Sequence, residues 1–403
     1  MPPQTQLTLP DGRTVVLRRH PSRPQPDNLR AWDAADELVL AWMSGDTDGL
    51  LADDVEAPVA PGSVETAHGR TVLVNDRFGA LAVGLADRHP ASWADSALTW
   101  EVTRANLVAN GLEPTAAEVV PASNGLPPVG VAVVKVPRAK ATLEWQLREI
   151  AAASSPGTVV VGAGMTREVH TSTVELFERI LGPTVTTRAR KKARLLLVQV
   201  DPVRIGTAPD HDVVLGETTH ESHGVTVVAL PGVFGAGATD DGTGLLLAHL
   251  PTVLPPAGTA VDVVDLGCGT GIVGTVVARD NPDARLVFTD VSDLAVASAR
   301  RTLARTLPDA EATFHVADGL TACADGSADL VVVNPPFHQG RVVTDDIAWE
   351  MFGDARRVLR PGGRIVVVGN RHLAYHAKLK RLFGNVEVLG SDPRFVVMSA
   401  VRM

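Results

Sequence analysis

The chain has 403 residues, enough for two domains with full hydrophobic cores. Apolar residues make up 45% and charged residues 21%, which excludes a mostly disordered chain. With 37 basic and 46 acidic residues the net charge is −9, which excludes a globally basic nucleic-acid binder but permits a local basic patch.

The opening MPPQTQLTLPDGRT lacks the basic-then-apolar pattern of a signal peptide. A polar, Pro-rich lead follows, and a helix is expected from near Leu29 through AWDAADELVLAWM. Strands are expected at Val72 to Asn75, Gly130 to Val136, Gly157 to Val161 and Arg194 to Val200. The polar stretch DPVRIGTAPDHDVVLGETTHESHG reads as a boundary, dividing the chain into 1–215 and 216–403. Beyond it, strands at Val261 to Leu266, Arg285 to Asp290, Ala312 to Ala317, Asp329 to Asn334 and Gly363 to Gly369 alternate with helices. That is the spacing of an α/β, doubly wound, mostly parallel sheet. No apolar run approaches the roughly 18 residues of a membrane helix, so no membrane partner is expected.

The two halves read as an internal duplication. Gly79 matches Gly269, Asp95 matches Asp290 and Pro137 matches Pro335, with spacings of 16 and 42 residues against 21 and 45. The first copy has lost the glycines and the Asn-Pro-Pro.

Asp265-Leu266-Gly267-Cys268-Gly269-Thr270-Gly271 ends an apolar strand and opens a helix. Such glycines allow a sharp turn and close approach of backbone N–H groups to a ligand. Residues 269–274 also spell the dinucleotide fingerprint, and Asp290 suits a ribose-binding acid in either reading. Asp265 at the strand end separates the two, because the Asp-x-Gly-x-Gly-x-Gly form resembles the first motif of class I S-adenosylmethionine methyltransferases. The resemblance implies that Asp265, Gly267, Gly269 and Gly271 wrap the methionine end of the cofactor. It also implies that Asp290 holds the ribose hydroxyls and that Asp318 lies by the adenine. Asp318-Gly319 is equally a common turn signal.

Asn334-Pro335-Pro336-Phe337 follows the strand DLVVV. Two prolines stiffen the chain and remove two N–H donors, freeing carbonyls to accept from a ligand. An exocyclic amine is a poor nucleophile and needs acceptors for its N–H bonds. The Asn334 amide oxygen and the Pro335 carbonyl are candidates, with Phe337 stacking on the base. Catalysis then comes chiefly from positioning.

Taken together, NPPF after the glycine loop, NPPFH followed by Gly340, and the segments ILGP, PGVF and GNRHL resemble the ribosomal RNA guanine-N2 methyltransferases, the RsmC/RlmG group. TDDIAWEMFGDARRVL, NRHLAYHAKLKRLFGN and FVVMSAV are most similar to its large-subunit branch. The resemblance implies two tandem methyltransferase-like, Rossmann-like domains, the first degenerate and RNA-binding. It implies S-adenosyl-L-methionine as cofactor and ribosomal RNA as partner, 23S favoured, as naked RNA or a precursor particle. Asn334, Pro335 and Phe337 become the catalytic set, with Pro336, Phe337 and His338 at the base. One departure is the small-residue run Gly235 to Thr239 before Asp240, Gly242 and Thr243, where the family carries a basic or bulky stretch.

Other residues are weighed against bland roles. His338 touches base or phosphate, or makes a local hydrogen bond. Arg188, Arg190, Lys191, Lys192 and Arg194 form the densest basic cluster, either a solvated face or a phosphate contact. Cys268 reads as a packing residue. Two cysteines, Cys268 and Cys323, are no disulfide framework and point to a reducing, cytoplasmic setting. No cysteine or histidine has metal-ligand spacing, so no metal is expected. The alternatives are the small-subunit branch of the same chemistry and a non-enzymatic RNA-binding assembly factor.

Overall fold

The structure, a computed structural model, describes residues 4–20, 29–51, 69–206, 217–256, 258–336 and 341–403, with only the backbone over 341–346. Two compact units emerge, Met1–Gly216 and Glu217–Met403.

In the first unit a hairpin, β1 (Gln6–Thr8) and β2 (Thr14–Val16), precedes α1 (Ala34–Met43), β3 (Arg70–Val74), α2 (Ala80–Gly84), β4 (Ala91–Ala94) and α3 (Ala97–Ala109). There follow β5 (Glu118–Pro121), β6 (Val129–Lys135), α4 (Lys140–Ala153), β7 (Ser154–Met165), α5 (Thr171–Ile180), β8 (Val185–Thr186) and β9 (Ala193–Gln199). The second unit opens with β10 (Thr218–Ser222) and β11 (Val225–Ala229). It continues through α6 (Asp241–His249), β12 (Val261–Leu266), α7 (Ile272–Asp280), β13 (Ala284–Asp290), α8 (Asp293–Thr306) and β14 (Ala312–Val316). Last come β15 (Ala328–Val333), α9 (Arg341–Val358), β16 (Leu359–Asn370), α10 (Tyr375–Phe383), β17 (Glu387–Ser391) and β18 (Phe395–Val401).

Both large sheets have seven strands and one connectivity: β5-β4-β3-β6-β7-β9-β8 in the first unit, β14-β13-β12-β15-β16-β18-β17 in the second. Five strands run parallel, β9 or β18 runs against them, and β8 or β17 pairs antiparallel with that strand at the edge. Parallel strands covered on both faces must be apolar on both. In the second unit Val263, Val332 and Val366 pack with α7 and α8 residues such as Val277 and Ala299. Their neighbours Val264, Val331 and Val367 pack with Phe352 of α9 and Leu379 of α10.

Three expectations need correction. The first helix starts at Ala34, not Leu29, because Asp33 caps it and forms a capping box with Asp36. The polar 201–224 stretch is not all loop, since Thr218–Ser222 is strand β10, paired with β11; residues 207–216 lie outside the described residues.

The third correction concerns the register of the duplication. Val74 pairs with Trp93 and Val134, as Leu266 pairs with Thr289 and Val333. The frame is therefore gap-free through the first turn, and Gly79 corresponds to Gly271 rather than Gly269. Both cap their helices with φ near +75° (72° and 76°). A Cβ on Gly79 would meet Thr103 Cα at 2.8 Å, and one on Gly271 would meet Ala299 Cα at 2.6 Å. Close packing of turn on helix, which sequence spacing does not show, sets this register. By the same frame Ala94, not Asp95, stands where Asp290 does, Lys135 where Asn334 does, and Pro137 where Pro336 does.

Candidate active site

The carboxyl ends of β12 and β15 are neighbours from which the chain departs to opposite sides, the position where open α/β sheets bind ligands. A cleft opens there. Its walls include Asp265, Gly267 and Gly269 of the turn, Asp240 and Thr243 of α6, Phe234 and Asn334.

The turn uses its own donors. Gly267 and Cys268 N–H donate to Thr289 O (2.8 and 3.1 Å), Gly271 N–H to Cys268 O (2.7 Å), and Gly269 N–H to Asp290 Oδ2 (3.0 Å). Gly274 N–H, on the first turn of α7, donates to Asp265 Oδ2 at 2.9 Å. A dinucleotide phosphate needs those N–H groups and a positive helix end. Here they are committed, and a carboxyl sits under the helix instead. The arrangement suits a ligand with positive charge and no phosphate, which is the character of the sulfonium and ammonium end of S-adenosylmethionine.

Burial pushes the Asp265 carboxyl up to about 7, with the Asp290 charge adding to it and the Gly274 bond opposing. Burial also raises Asp290, against its bonds from Ser292 and Gly269. The Cys268 thiol is pushed well up by burial and by the two aspartates, so it stays protonated and packs.

The three turn glycines are not alike. Gly267 and Gly269 face the cleft, and a Cβ on Gly269 would find nothing nearer than Phe234 O at 3.7 Å. Gly271, expected to touch the cofactor, is committed to packing on α8. Asp318 lies two residues beyond β14, half-buried.

Asp240 caps α6, its Oδ1 accepting from Gly242 and Thr243 N–H at 2.9 and 3.1 Å. The Thr243 hydroxyl donates to Asp240 Oδ2, and Asn334 Nδ2 donates to Thr243 Oγ1 at 2.8 Å. Asn334 Oδ1 is buried and has no hydrogen-bond partner among the described residues. Pro335 beside it is buried and Pro336 is exposed. Phe337 and His338 lie outside the described residues.

Among the residues without an assigned role in the sequence reading, Thr243 and the exposed Phe234 both line the cleft. Thr243 sits three residues after an acidic cap, a signal too common to single it out; its contact with Asn334 spans 91 residues.

The basic cluster belongs to the first unit and is partly neutralised. Arg190 pairs with Asp46 (3.1 Å) and Lys191 with Glu37 (2.6 Å). Arg188 and Lys192 are exposed and make no ion pair among the described residues. Lys191 and Lys192 form the tip of a tight turn closed by Arg190 and Ala193, both with left-handed φ (50° and 63°). No helix among the described residues is long and apolar enough to cross a membrane, and no group of three His, Cys, Asp or Glu there can hold a metal ion.

Residues 224–399 match the family described as "Methyltransferase small domain", and residues 4–202 match "RLMG N-terminal domain". A protein of Streptomyces coelicolor named "Ribosomal RNA large subunit methyltransferase G" is 46% identical, the match covering 98% of this chain and 100% of that one. A protein of the same name from Klebsiella pneumoniae is 38% identical, over 98% and 97%. Among solved structures, the T. thermophilus 16S rRNA N2 methyltransferase RsmC, in complex with AdoMet and guanosine, shares the two-unit fold. Its TM-score is 0.72 at 24% identity, over 99% of this chain and 98% of that one.

Proposed function

The chain belongs to the ribosomal RNA large subunit methyltransferase G family, and from that premise we propose that it transfers the methyl group of S-adenosylmethionine to the N2 amine of a guanine in 23S ribosomal RNA. The observation that carries this reading is the cleft itself, which brings Asp265 and the glycine turn together with a buried, uncommitted Asn334 Oδ1.

S-adenosylmethionine supplies an electrophilic methyl on a positively charged sulfur. Gly267 and Gly269 would leave room for the cofactor, Asp265 would lie by its methionine end, and Asp290 would hold its ribose hydroxyls. Asn334 Oδ1 and the Pro335 carbonyl accept the two N–H bonds of the guanine amine. With both N–H bonds accepted there, the nitrogen lone pair is turned out of conjugation and toward the methyl; as the N–C bond forms the S–C bond would break, a neutral thioether would leave, and the nitrogen then gives one proton to solvent. Residues placed beforehand do this without reorganising during reaction, which is where enzymes gain most. Phe337 stacks on the base and His338 contacts it or a neighbouring phosphate. A guanine within a helix must first be unstacked.

In this reading residues 216–403 carry the catalysis. Residues 1–215 bind RNA, with Arg188 and Lys192 as the phosphate contacts and Arg190 and Lys191 in support. The protein works in the cytoplasm, on free RNA or a precursor particle.

The test is methyl transfer from labelled S-adenosylmethionine to protein-free large- and small-subunit RNA taken from a strain lacking the gene. Digestion and mass spectrometry then look for N2-methylguanosine. Label in the large RNA that Asn334→Ala abolishes supports the proposal. Label only in the small RNA moves the activity to the other branch. No label in either RNA or in assembled particles leaves a non-enzymatic RNA-binding factor.

A further inference from the structure

We infer that Asp240 and Thr243 are positioning residues that decide which end of the Asn334 amide faces the cleft, and so restrict the site to a nucleophile that donates N–H. The inference rests on the role given to Asn334 above. A side-chain amide has a donor end and an acceptor end of nearly equal shape, and only its partners choose between them. Asp240 as a carboxylate accepts only. The Thr243 hydroxyl therefore gives its single proton to Asp240 Oδ2, and its oxygen is left to accept. The Asn334 end that meets it at 2.8 Å must be the NH₂, which leaves the other end, Oδ1 of a residue that lines the cleft, buried and without a partner among the described residues. An amide turned this way accepts from an amine. It has no proton to offer a base carbonyl in the same place, so the chain of bonds sets selectivity as well as orientation.

The first unit shows that this geometry is built into the fold. There Asp33 caps α1, Asp36 is three residues on, and Lys135 holds the place of Asn334. Lys135 Nζ donates to Asp33 Oδ1 and Asp36 Oδ1 at 2.8 and 2.6 Å. Cap, third helical residue and strand-end residue meet in both units. In one they form a closed ion pair; in the other they form a directional chain with an acceptor left over.

Two substitutions separate orientation from packing. Thr243→Val keeps the shape of the side chain and its capped N–H but removes the hydroxyl. Asp240→Asn keeps the capping oxygen but adds a donor facing Thr243, so the hydroxyl can turn its proton toward Asn334 and reverse the amide. Each is expected to lower kcat for RNA methylation by about 100-fold, the usual scale for a misplaced reacting group. The affinity of Thr243→Val for S-adenosylmethionine should change by less than about threefold, because a group acting on the nucleophile alone moves kcat and not cofactor binding. Thr243→Ser, which keeps the hydroxyl, should restore kcat.

A second readout needs no RNA. In ¹⁵N-labelled protein the Asn334 side-chain amide resonance, assigned by its loss in Asn334→Asp, should move in Thr243→Val and Asp240→Asn and stay in place in Thr243→Ser. An unmoved resonance, or a Thr243→Val enzyme with wild-type kcat, overturns the inference. A wild-type protein that methylates no RNA overturns the function proposed above instead, and the resonance still judges the orientation.

Discussion

Lys135 and Asn334 occupy one position in two sheets: each directly follows the valine that pairs with the last residue of the central strand, Val134 with Val74 and Val333 with Leu266. At one position a lysine pairs with two carboxylates, Asp33 and Asp36. At the other an asparagine leaves its Oδ1 buried and without a hydrogen-bond partner among the described residues. The difference is carried by the side chain at a shared backbone address.

Removing the lysine charge should be costly. The Lys135 side chain is 14% exposed and that of Asp36 9%, so Lys135→Met strands a buried carboxylate. Breaking such a pair from one side costs about 3–5 kcal/mol. Urea denaturation of the full chain should show the loss in the transition that reports on the first unit. A loss below about 1 kcal/mol would mean that water already serves these groups.

A second likeness is an acid under each helix end, reached from different addresses, since by the same frame Asp76 stands where Cys268 does. Asp76 Oδ2 accepts from Ala82 N–H at 2.8 Å, as Asp265 accepts from Gly274, each three residues past the capping glycine. Burial foremost, then the Asp36 charge, pushes Asp76 up to about 7. The folded state thus holds a proton that the unfolded chain releases near 3.8. Folded chains then bind more protons than unfolded ones between those values, so stability falls as pH rises through that window. Asp76→Asn removes this term. Its Tm should gain on the wild type as pH goes from 5 to 8, and parallel Tm curves would show that Asp76 ionises normally.

The turn glycines should divide by role. Gly271→Ala forces a Cβ to 2.6 Å from Ala299 Cα at a left-handed φ, and overpacking of that kind costs about 1–3 kcal/mol before backbone strain is added. Gly269→Ala meets no such wall and should cost only about 1–2 kcal/mol, for its φ of 52°. Calorimetry should find S-adenosylmethionine binding weakened in Gly269→Ala, because the new methyl enters the cleft. Equal melting temperatures for the two variants would contradict this division.

The basic cluster makes a prediction about salt. Removing a phosphate contact lowers the slope of log K against log salt by about 0.9 per contact for duplex, about 0.7 for single strands. Arg188→Ala with Lys192→Ala should flatten the RNA-binding slope, while Arg190→Ala with Lys191→Ala should flatten it less, since Asp46 and Glu37 already engage those charges. Identical slopes in all three proteins would place the RNA elsewhere.

Much of this was legible in the chain. Apolar runs of strand length marked both sheets, because a parallel strand buried on two faces has to be apolar throughout. The glycine turn and Asn334-Pro335-Pro336 announced themselves because turning a chain sharply and stripping it of donors each require particular residues. Short strands such as Ala91–Ala94 escaped, since four residues are too few to show a period. What only the tertiary structure decided was partnership. It alone showed that Gly271 packs while Gly269 makes room, that two of the five named cluster cations are already paired, and that the Asn334 amide meets Thr243. Spacing along a chain records what each segment needs for itself; contacts across 91 residues depend on how the segments are stacked, and no local pattern encodes them.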